Sequence, residues 1–277
     1  MFNQRTGVAS SSRLAGLVVV SCLLGTLRAD LPQNKVATPI EKGQHVLIIG
    51  NSFQVSVDHH LNVMATSAGI KGHVRGGDPL AAVKVDVVAS NPWFRIHDKA
   101  DKGLDDLVDR ALKHNPDVRV LAQVGWLPYD DPIFPMPEMG REKTNWNARS
   151  IKDVRSIHAA YLKNAADQVR ASNKRLGKQA VFIVPVAQAV MALREKVAAG
   201  AVAGLKTQDD LFADSIGHAR PAVELLNAYC HFAVIYRRTP VGLEIKGAKD
   251  EKLHRLLQEL AWDAVVEEPL SGVRAAP

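Results

Sequence analysis

Cysteine is scarce in this chain, and its scarcity excludes a disulfide-stabilised scaffold. The 277 residues contain two cysteines, Cys22 and Cys230. Cys22 lies in an N-terminal segment that we expect to be removed, and a single remaining cysteine cannot close a disulfide within the chain. Cys230 falls in an apolar helical pattern, where a free cysteine is ordinarily a small core residue. Because the histidines also lack the close His/Cys/Glu spacing of a zinc site, we expect no metal site.

Clusters of basic residues interleaved with aromatics are also missing. The pI is about 9.3 and the formal charge is +6. Three arginines and no acidic residue precede position 30, so loss of residues 1–29 would reduce that charge to +3. So small an excess of positive charge does not indicate a nucleic-acid interface, and we expect no nucleic-acid partner.

The apolar run near the N-terminus is short for a membrane span. Arg13 precedes the uncharged residues 14–27, and Arg-Ala-Asp follows at residues 28–30. A spanning helix needs roughly 20 apolar residues, so the segment predicts a signal peptide, residues 1–29, cleaved near Ala29. We therefore expect a secreted or periplasmic protein with no integral membrane span in its mature part. The sequence Val-Val-Ser-Cys at residues 19–22 leaves one alternative, a lipoprotein anchored through Cys22.

Residues 30–277 are predicted to form a single α/β domain. Their short apolar segments alternate with helical patterns, which favours a three-layer α/β/α sandwich around a central, mostly parallel sheet. We predict strands at residues 45–49, 71–74, 118–124 and 180–184. We predict helices at residues 57–67, 103–114, 151–172, 186–198, 223–236 and 252–266.

Residues 126–146 form a long segment with four prolines and no helical period. Loops beyond about 12 to 15 residues are usually functional or disordered. Because this segment follows a predicted strand, we interpret it as a rim or lid over the strand ends, with an ordinary surface loop as the alternative.

A candidate nucleophile follows the first predicted strand. Residues 45–53 read His-Val-Leu-Ile-Ile-Gly-Asn-Ser-Phe, a buried-strand pattern that stops at Gly50 and delivers Ser52. Glycine supplies the backbone freedom for a sharp exit. Open α/β sheets bind ligands at the carboxyl ends of their strands. Ser52 is therefore a candidate catalytic residue, although an ordinary turn or helix cap has the same pattern.

A serine becomes nucleophilic when a histidine accepts its proton and an acid orients that histidine. Asp214 and His218 lie on one glycine-containing loop ahead of a predicted helix, and they are the candidate acid and base. Asp209 and Asp210 are alternative acids, because geometry decides which carboxylate reaches the imidazole.

Acyl transfer also needs hydrogen-bond donors for the developing oxyanion. The backbone N–H of Ser52 is one candidate. Gly76 and Gly77, after the second predicted strand, are able to bring another N–H close because neither has a side chain. The side-chain amide of Gln123, at the end of the strand predicted at 118–124, is the third candidate.

Together these features resemble the SGNH hydrolases, also called GDSL-type esterases and lipases, in their Gly-Asn-Ser-Phe branch. The resemblance covers residues 44–243, and residues 225–243 are similar to the closing helix of bacterial members. It implies a role for each candidate: Ser52 as nucleophile and first oxyanion donor, Gly77 or Gly76 as the second donor, Gln123 in the place usually held by Asn, and Asp214 with His218 completing the triad.

The chain departs from the family pattern in three places. Asn51 stands where the name motif has Asp, Gln123 stands where Asn is usual, and three residues rather than two separate Asp214 from His218.

The resemblance implies a serine esterase that needs no cofactor. Its expected substrates are small acyl groups, such as acetate, carried on a saccharide, with a lipid or thioester substrate left open. The unusual triad spacing motivates a second hypothesis, a noncatalytic protein that binds a glycan or another partner beneath residues 126–146.

Overall fold

The structure, a computed structural model, describes residues 38–76, 84–92, 94, 102–131, 144–245 and 250–274. The predicted signal peptide, Cys22 and Gly77 lie outside the described residues, as do residues 132–143 of the long segment. Within the described residues, no helix combines the length and the apolarity needed to cross a membrane.

A parallel sheet forms the centre of the described domain. Its strands have the order β2-β1-β3-β4-β5, and every neighbouring pair runs parallel. The strands are β1 (His45–Ile49), β2 (Val74–Arg75), β3 (Val87–Ser90), β4 (Arg119–Gln123) and β5 (Val181–Val184).

Helices connect and flank these strands. They are α1 (Val57–Ser67), α2 (Lys102–His114), α3 (Ile151–Leu176), α4 (Val186–Ala198), α5 (Pro221–Tyr236) and α6 (Glu251–Glu267). Local signals set several ends. The Ser150 side chain accepts a hydrogen bond from the Asp153 N–H at the start of α3, and Gly177 ends that helix in the left-handed region. Pro221 occupies the first turn of α5, where its missing N–H is not needed.

Two apolar clusters, one on each face of the sheet, make the three layers. Successive strand side chains point to opposite faces. Val46 of β1 and Leu121 of β4 therefore pack with α1, α5, α6 and most of α4, whereas their neighbours Leu47 and Val120 pack with α2 and α3. The predicted α/β sandwich is confirmed, and burial on both faces explains why its strands read as continuous apolar runs.

The β3 strand was not predicted, and it changes the sheet order near the candidate site. Val87–Ser90 has only four residues, all buried, and it lies between β1 and β4. The strand that ends at Gln123 is therefore separated from β1 by β3.

Candidate active site

Ser52 lies in the turn between β1 and α1, with its side chain exposed. The Asn51 side chain accepts from the Phe53 N–H at 3.0 Å, and the Gln54 N–H donates to the Asn51 carbonyl at 2.9 Å. A Cβ atom on Gly50 would lie 2.1 Å from Oε1 of Gln54, and the φ of Gly50 is not positive. Glycine is therefore required here for space rather than for a left-handed backbone.

The structure brings Ser52, His218 and Asp214 together in one hydrogen-bonded chain. Nε2 of His218 lies 2.8 Å from Oγ of Ser52, and Nδ1 of His218 lies 2.5 Å from Oδ2 of Asp214. Since a carboxylate only accepts, Nδ1 carries the proton that faces Asp214 and Nε2 is left to accept from the serine hydroxyl. This is the tautomer that a general base beside a serine requires.

Asp214 is held as an anion by its neighbours. Partial burial by itself would raise the pKa of the Asp214 carboxyl, but hydrogen bonds from the His218 ring and from the backbone N–H groups of His218 and Gly217 outweigh it. The two backbone bonds reach Oδ1 at 3.1 and 3.0 Å. The pKa of Asp214 therefore lies below its ordinary value, and the carboxylate stays charged while it orients the imidazole.

The alternative acids are engaged elsewhere. The Asp210 carboxylate accepts from the backbone N–H groups of Lys206 and Thr207. The Asp209 carboxylate accepts from the Asn147 side chain at 2.5 Å. Asp214 is thus the carboxylate that contacts His218.

The extra residue between Asp214 and His218 is absorbed by a small hairpin. Phe212 and Ala219 form an antiparallel bridge, and the Ala213 N–H donates to the His218 carbonyl at 2.7 Å. Gly217 adopts a φ of +98°, a conformation that residues with a side chain rarely adopt. The tight turn returns His218 to the Asp214 carboxylate.

The predicted oxyanion donors have different positions. The Ser52 N–H donates to no acceptor among the described residues, and it lies beside the exposed hydroxyl. The Gly76 N–H is already used, because it donates to the Val46 carbonyl at 2.5 Å as β2 runs along β1. Gly77 lies outside the described residues.

Gln123 is placed differently from our expectation. It is fully buried, and its Nε2 donates to the Phe53 carbonyl at 3.1 Å. Asn227 of α5 donates to the same carbonyl at 3.0 Å. With β3 between its strand and β1, the buried Gln123 amide contacts the backbone of the turn that carries Ser52, whereas Ser52 itself is exposed.

Asn91 is a candidate oxyanion donor that was not predicted from the sequence. It follows β3 directly, on the strand next to β1, and its Nδ2 donates to Oδ1 of Asn51 at 2.9 Å. Its side chain is only partly buried. The sequence signal is short, because residues 87–91 read Val-Val-Ala-Ser-Asn, three apolar residues and a serine followed by an amide.

A buried histidine also contacts the turn that carries Ser52. Nδ1 of His231 donates to the Asn227 carbonyl at 3.0 Å, and its Nε2 accepts from the Gln54 amide at 3.1 Å. Burial lowers the pKa of His231 to about 4, so the ring is neutral at neutral pH. No group of three or more His, Cys, Asp or Glu side chains in the described part of the chain is arranged to hold a metal ion.

The fold of this chain is similar to that of a protein of known structure. No protein-family profile matches the chain, and no curated protein matches it significantly. A DUF4886 family protein from Bacteroides uniformis ATCC 8492 has a similar solved structure, with a TM-score of 0.54. The match covers 81% of this chain and 95% of that chain, at 14% sequence identity. At this identity the similarity shows a shared fold.

Proposed function

We propose that this chain is a serine ester hydrolase that acts through Ser52, His218 and Asp214. The observation that carries the proposal is the hydrogen-bonded chain from the serine hydroxyl through both imidazole nitrogens to the carboxylate. Each contact has the direction that nucleophilic catalysis requires, and the carboxylate remains ionised beside the ring.

The reaction runs in two halves. In the first, Oγ of Ser52 attacks the ester carbonyl carbon while Nε2 of His218 takes the hydroxyl proton, and the Asp214 carboxylate stabilises the resulting imidazolium. That proton passes to the leaving alkoxide oxygen as the ester C–O bond breaks, which leaves an acyl group on Ser52. In the second, water attacks the acyl carbon, His218 takes a proton from it, and the same proton returns to Oγ as the carboxylic acid leaves.

The negative charge on the carbonyl oxygen needs fixed donors. The Ser52 N–H supplies one, since it has no other acceptor among the described residues. The Asn91 amide supplies another, because among the described residues its Nδ2 donates only to Asn51, which uses one of its two N–H groups. Donors of this type typically contribute about 10² to 10³ in rate each.

The proposed substrate is a small acyl ester on a saccharide, and the proposed location is outside the cytoplasm. The resemblance to exported SGNH hydrolases and the predicted signal peptide support both. Exposure of the site supports the substrate class, since the His218 and Asp214 side chains are 38% and 45% exposed. An acyl group on a bulky polar carrier can reach such a serine from solvent, whereas a long acyl chain needs an apolar channel. Lipid esters and thioesters belong in the substrate panel as the competing classes.

A fluorophosphonate probe tests the proposal, because covalent labelling demands an activated serine. We expect the probe to modify Ser52, identified by mass spectrometry, and to leave Ser52→Ala unlabelled. Ser56→Ala is the matched control, since Ser56 directly precedes α1 and makes no side-chain capping bond, so its loss should leave labelling unchanged. Folded wild-type protein that stays unlabelled would contradict the proposal and favour the noncatalytic binding protein instead.

A further inference from the structure

The geometry points to Trp126 and Trp146 as positioning residues that hold the Asp214–His218 loop at its working distance from Ser52. The chemical consequence rests on the proposed esterase function, whereas the contacts do not. Neither tryptophan belongs to the triad or contacts the reacting atoms.

The loop's own hydrogen bonds determine its shape but not its position. The Ala213 N–H donates to the His218 carbonyl, the Arg220 N–H donates to the Leu211 carbonyl, and the Asp214 carboxylate accepts from backbone within the loop. All of these bonds join residues between 211 and 220. They would survive if the whole hairpin moved away from Ser52.

The two indoles attach the hairpin to the rest of the domain. Nε1 of Trp126 donates to the Gly217 carbonyl at 2.8 Å, and Nε1 of Trp146 donates to the Asp214 carbonyl at 3.1 Å. The Trp146 bond therefore holds the loop at the acid, Asp214, and the Trp126 bond holds it at Gly217, next to the base. Both tryptophans are buried, at 2% and 3% exposed. The bond from Trp126 is fully buried and the bond from Trp146 is partly buried, so both are shielded from bulk water more than the contacts between the exposed triad side chains.

Thr144 adds contacts to the middle of the loop. Its N–H donates to Oγ of Ser215 at 3.2 Å, and its hydroxyl donates to the Ser215 carbonyl at 2.7 Å. Residues from both described ends of the 126–146 segment thus form hydrogen bonds to the loop.

Trp126 also contacts the turn that carries the nucleophile. Its ring packs on Phe53 at a centroid distance of 5.1 Å, and Phe53 packs on the His218 ring at 5.4 Å. Because Phe53 is the neighbour of Ser52 and Gly217 is the neighbour of His218, Trp126 contacts the residue next to each partner of the proton transfer. These contacts relate the position of the base to that of the nucleophile.

Trp126 and Trp146, which together we call the clamp, leave no room for a side chain at Gly217. A Cβ there would lie 2.9 Å from the Trp146 ring and 3.3 Å from Nε1 of Trp126. Glycine at this position therefore serves two purposes, the left-handed turn and the close approach of the indoles.

Positioning matters because the triad is half exposed. Hydrogen bonds and ion pairs between exposed side chains contribute little by themselves, so the bonds of His218 to Asp214 and Ser52 do not hold the hairpin in place. Misplacing a reacting group by about 1 Å can lower a rate by about 10². The hydrogen bonds from the two buried indoles supply the rigidity that the exposed groups lack.

Phenylalanine substitutions test the clamp, since they keep an aromatic ring and remove the N–H donor. In Trp126→Phe and Trp146→Phe we expect kcat for p-nitrophenyl acetate, and the rate of fluorophosphonate labelling, to fall about 10-fold, with KM within about twofold. Trp262→Phe, on α6, is the matched control and should keep both rates, because among the described residues no hydrogen bond joins Trp262 to the loop.

A spectroscopic readout separates the clamp from the esterase proposal. In protein labelled with ¹⁵N-histidine, the His218 ring shifts, assigned with His218→Gln, should report the Nδ1-protonated tautomer in the wild type and a tautomer mixture in both phenylalanine variants. Phenylalanine variants that keep both the wild-type rates and the wild-type shifts would overturn the clamp while leaving the esterase intact. If the wild type is inactive, the esterase proposal fails and the ring shifts decide the clamp: a mixture in the variants supports it, and unchanged shifts overturn it.

Discussion

Nε2 of His218 lies 2.8 Å from Oγ of Ser52, although 166 positions separate the two residues in the chain. The turn with Ser52 leads into α1, and the loop with His218 leads into α5. These two helices pack against each other on the same face of the sheet. The contact therefore depends on helix packing, with the buried indoles setting its final distance.

Loss of Ser52 or His218 should be equally severe. We expect Ser52→Ala and His218→Ala each to lower kcat by about 10³ or more, and the double variant to be little worse than either, because triad members act as a unit. Initial rates on p-nitrophenyl acetate measure this, with circular dichroism as the check on folding. A double variant whose loss equals the product of the single losses would argue against a shared step.

Asp214 should be needed for turnover, and Asp210 should not. Asp214→Asn keeps the size of the side chain but removes the charge that stabilises the imidazolium, so we expect kcat to fall by about 10² to 10⁴. Asp210→Asn is the matched control, because Asp210 binds backbone N–H groups away from His218. Full activity in Asp214→Asn, or a large loss in Asp210→Asn, would reassign the acid.

Substitutions of Asn91 and Gln123, the two amides near the turn that carries Ser52, should have different effects on turnover and stability. Asn91→Ala removes a proposed oxyanion donor, so kcat should fall by about 10² to 10³ with little change in the melting temperature. Gln123→Leu removes a buried donor to the Phe53 carbonyl, so the melting temperature should fall while kcat per folded molecule changes by less than about 10-fold. Comparing kcat with the melting temperature in both variants checks the assignment, and the reverse pattern would return the oxyanion role to Gln123.

The buried neutral histidines should make stability depend on pH. Burial lowers the pKa of His231 and of His158 to about 4, below the value of about 6.5 in an unfolded chain. Between these values the unfolded state binds more protons, so their contribution to stability is lost as pH falls from about 6.5 to 4.

We expect the unfolding free energy to fall between pH 7 and pH 5, with each histidine contributing about 2 kcal/mol to the difference. Urea denaturation at both pH values, for the wild type and for His231→Gln, measures it. The pH difference should shrink by about that amount in the variant, whatever its absolute stability. An unchanged difference would mean that the His231 ring is not held neutral in the folded state.

A buried ion pair beneath Trp146 should be important for stability. Arg194 donates to both carboxylate oxygens of Asp130, at 2.6 and 2.8 Å, with its side chain fully buried. Arg194→Met leaves the buried Asp130 carboxylate without its charged partner. We therefore expect the free energy of unfolding, measured by urea denaturation, to fall by about 3 to 5 kcal/mol. Arg194→Met combined with Asp130→Asn should lose less than the sum of the two single variants. A single-variant loss below about 1 kcal/mol would contradict this role.

Strong local periodicity made several elements predictable. The bounds expected for β1, α1 and α4 are those of the structure, since each has an apolar pattern of full length. The β3 strand was missed because four buried residues carry little local signal, and such a strand is stabilised mainly by its neighbours on both sides. Without β3, Gln123 and not Asn91 was the strand-end amide predicted as an oxyanion donor.

The sequence by itself determined the kinds of group available: a serine just after a strand, a carboxylate and a histidine on one loop, and amides at strand ends. The tertiary structure decided which of them meet. Asp214 rather than Asp210 faces His218, Asn91 rather than Gln123 follows the strand next to β1, and the indole of Trp126 contacts the loop that carries His218. The physical reason is that strand and helix periods are local, whereas distances between elements follow from sheet order and side-chain packing, which local spacing does not encode.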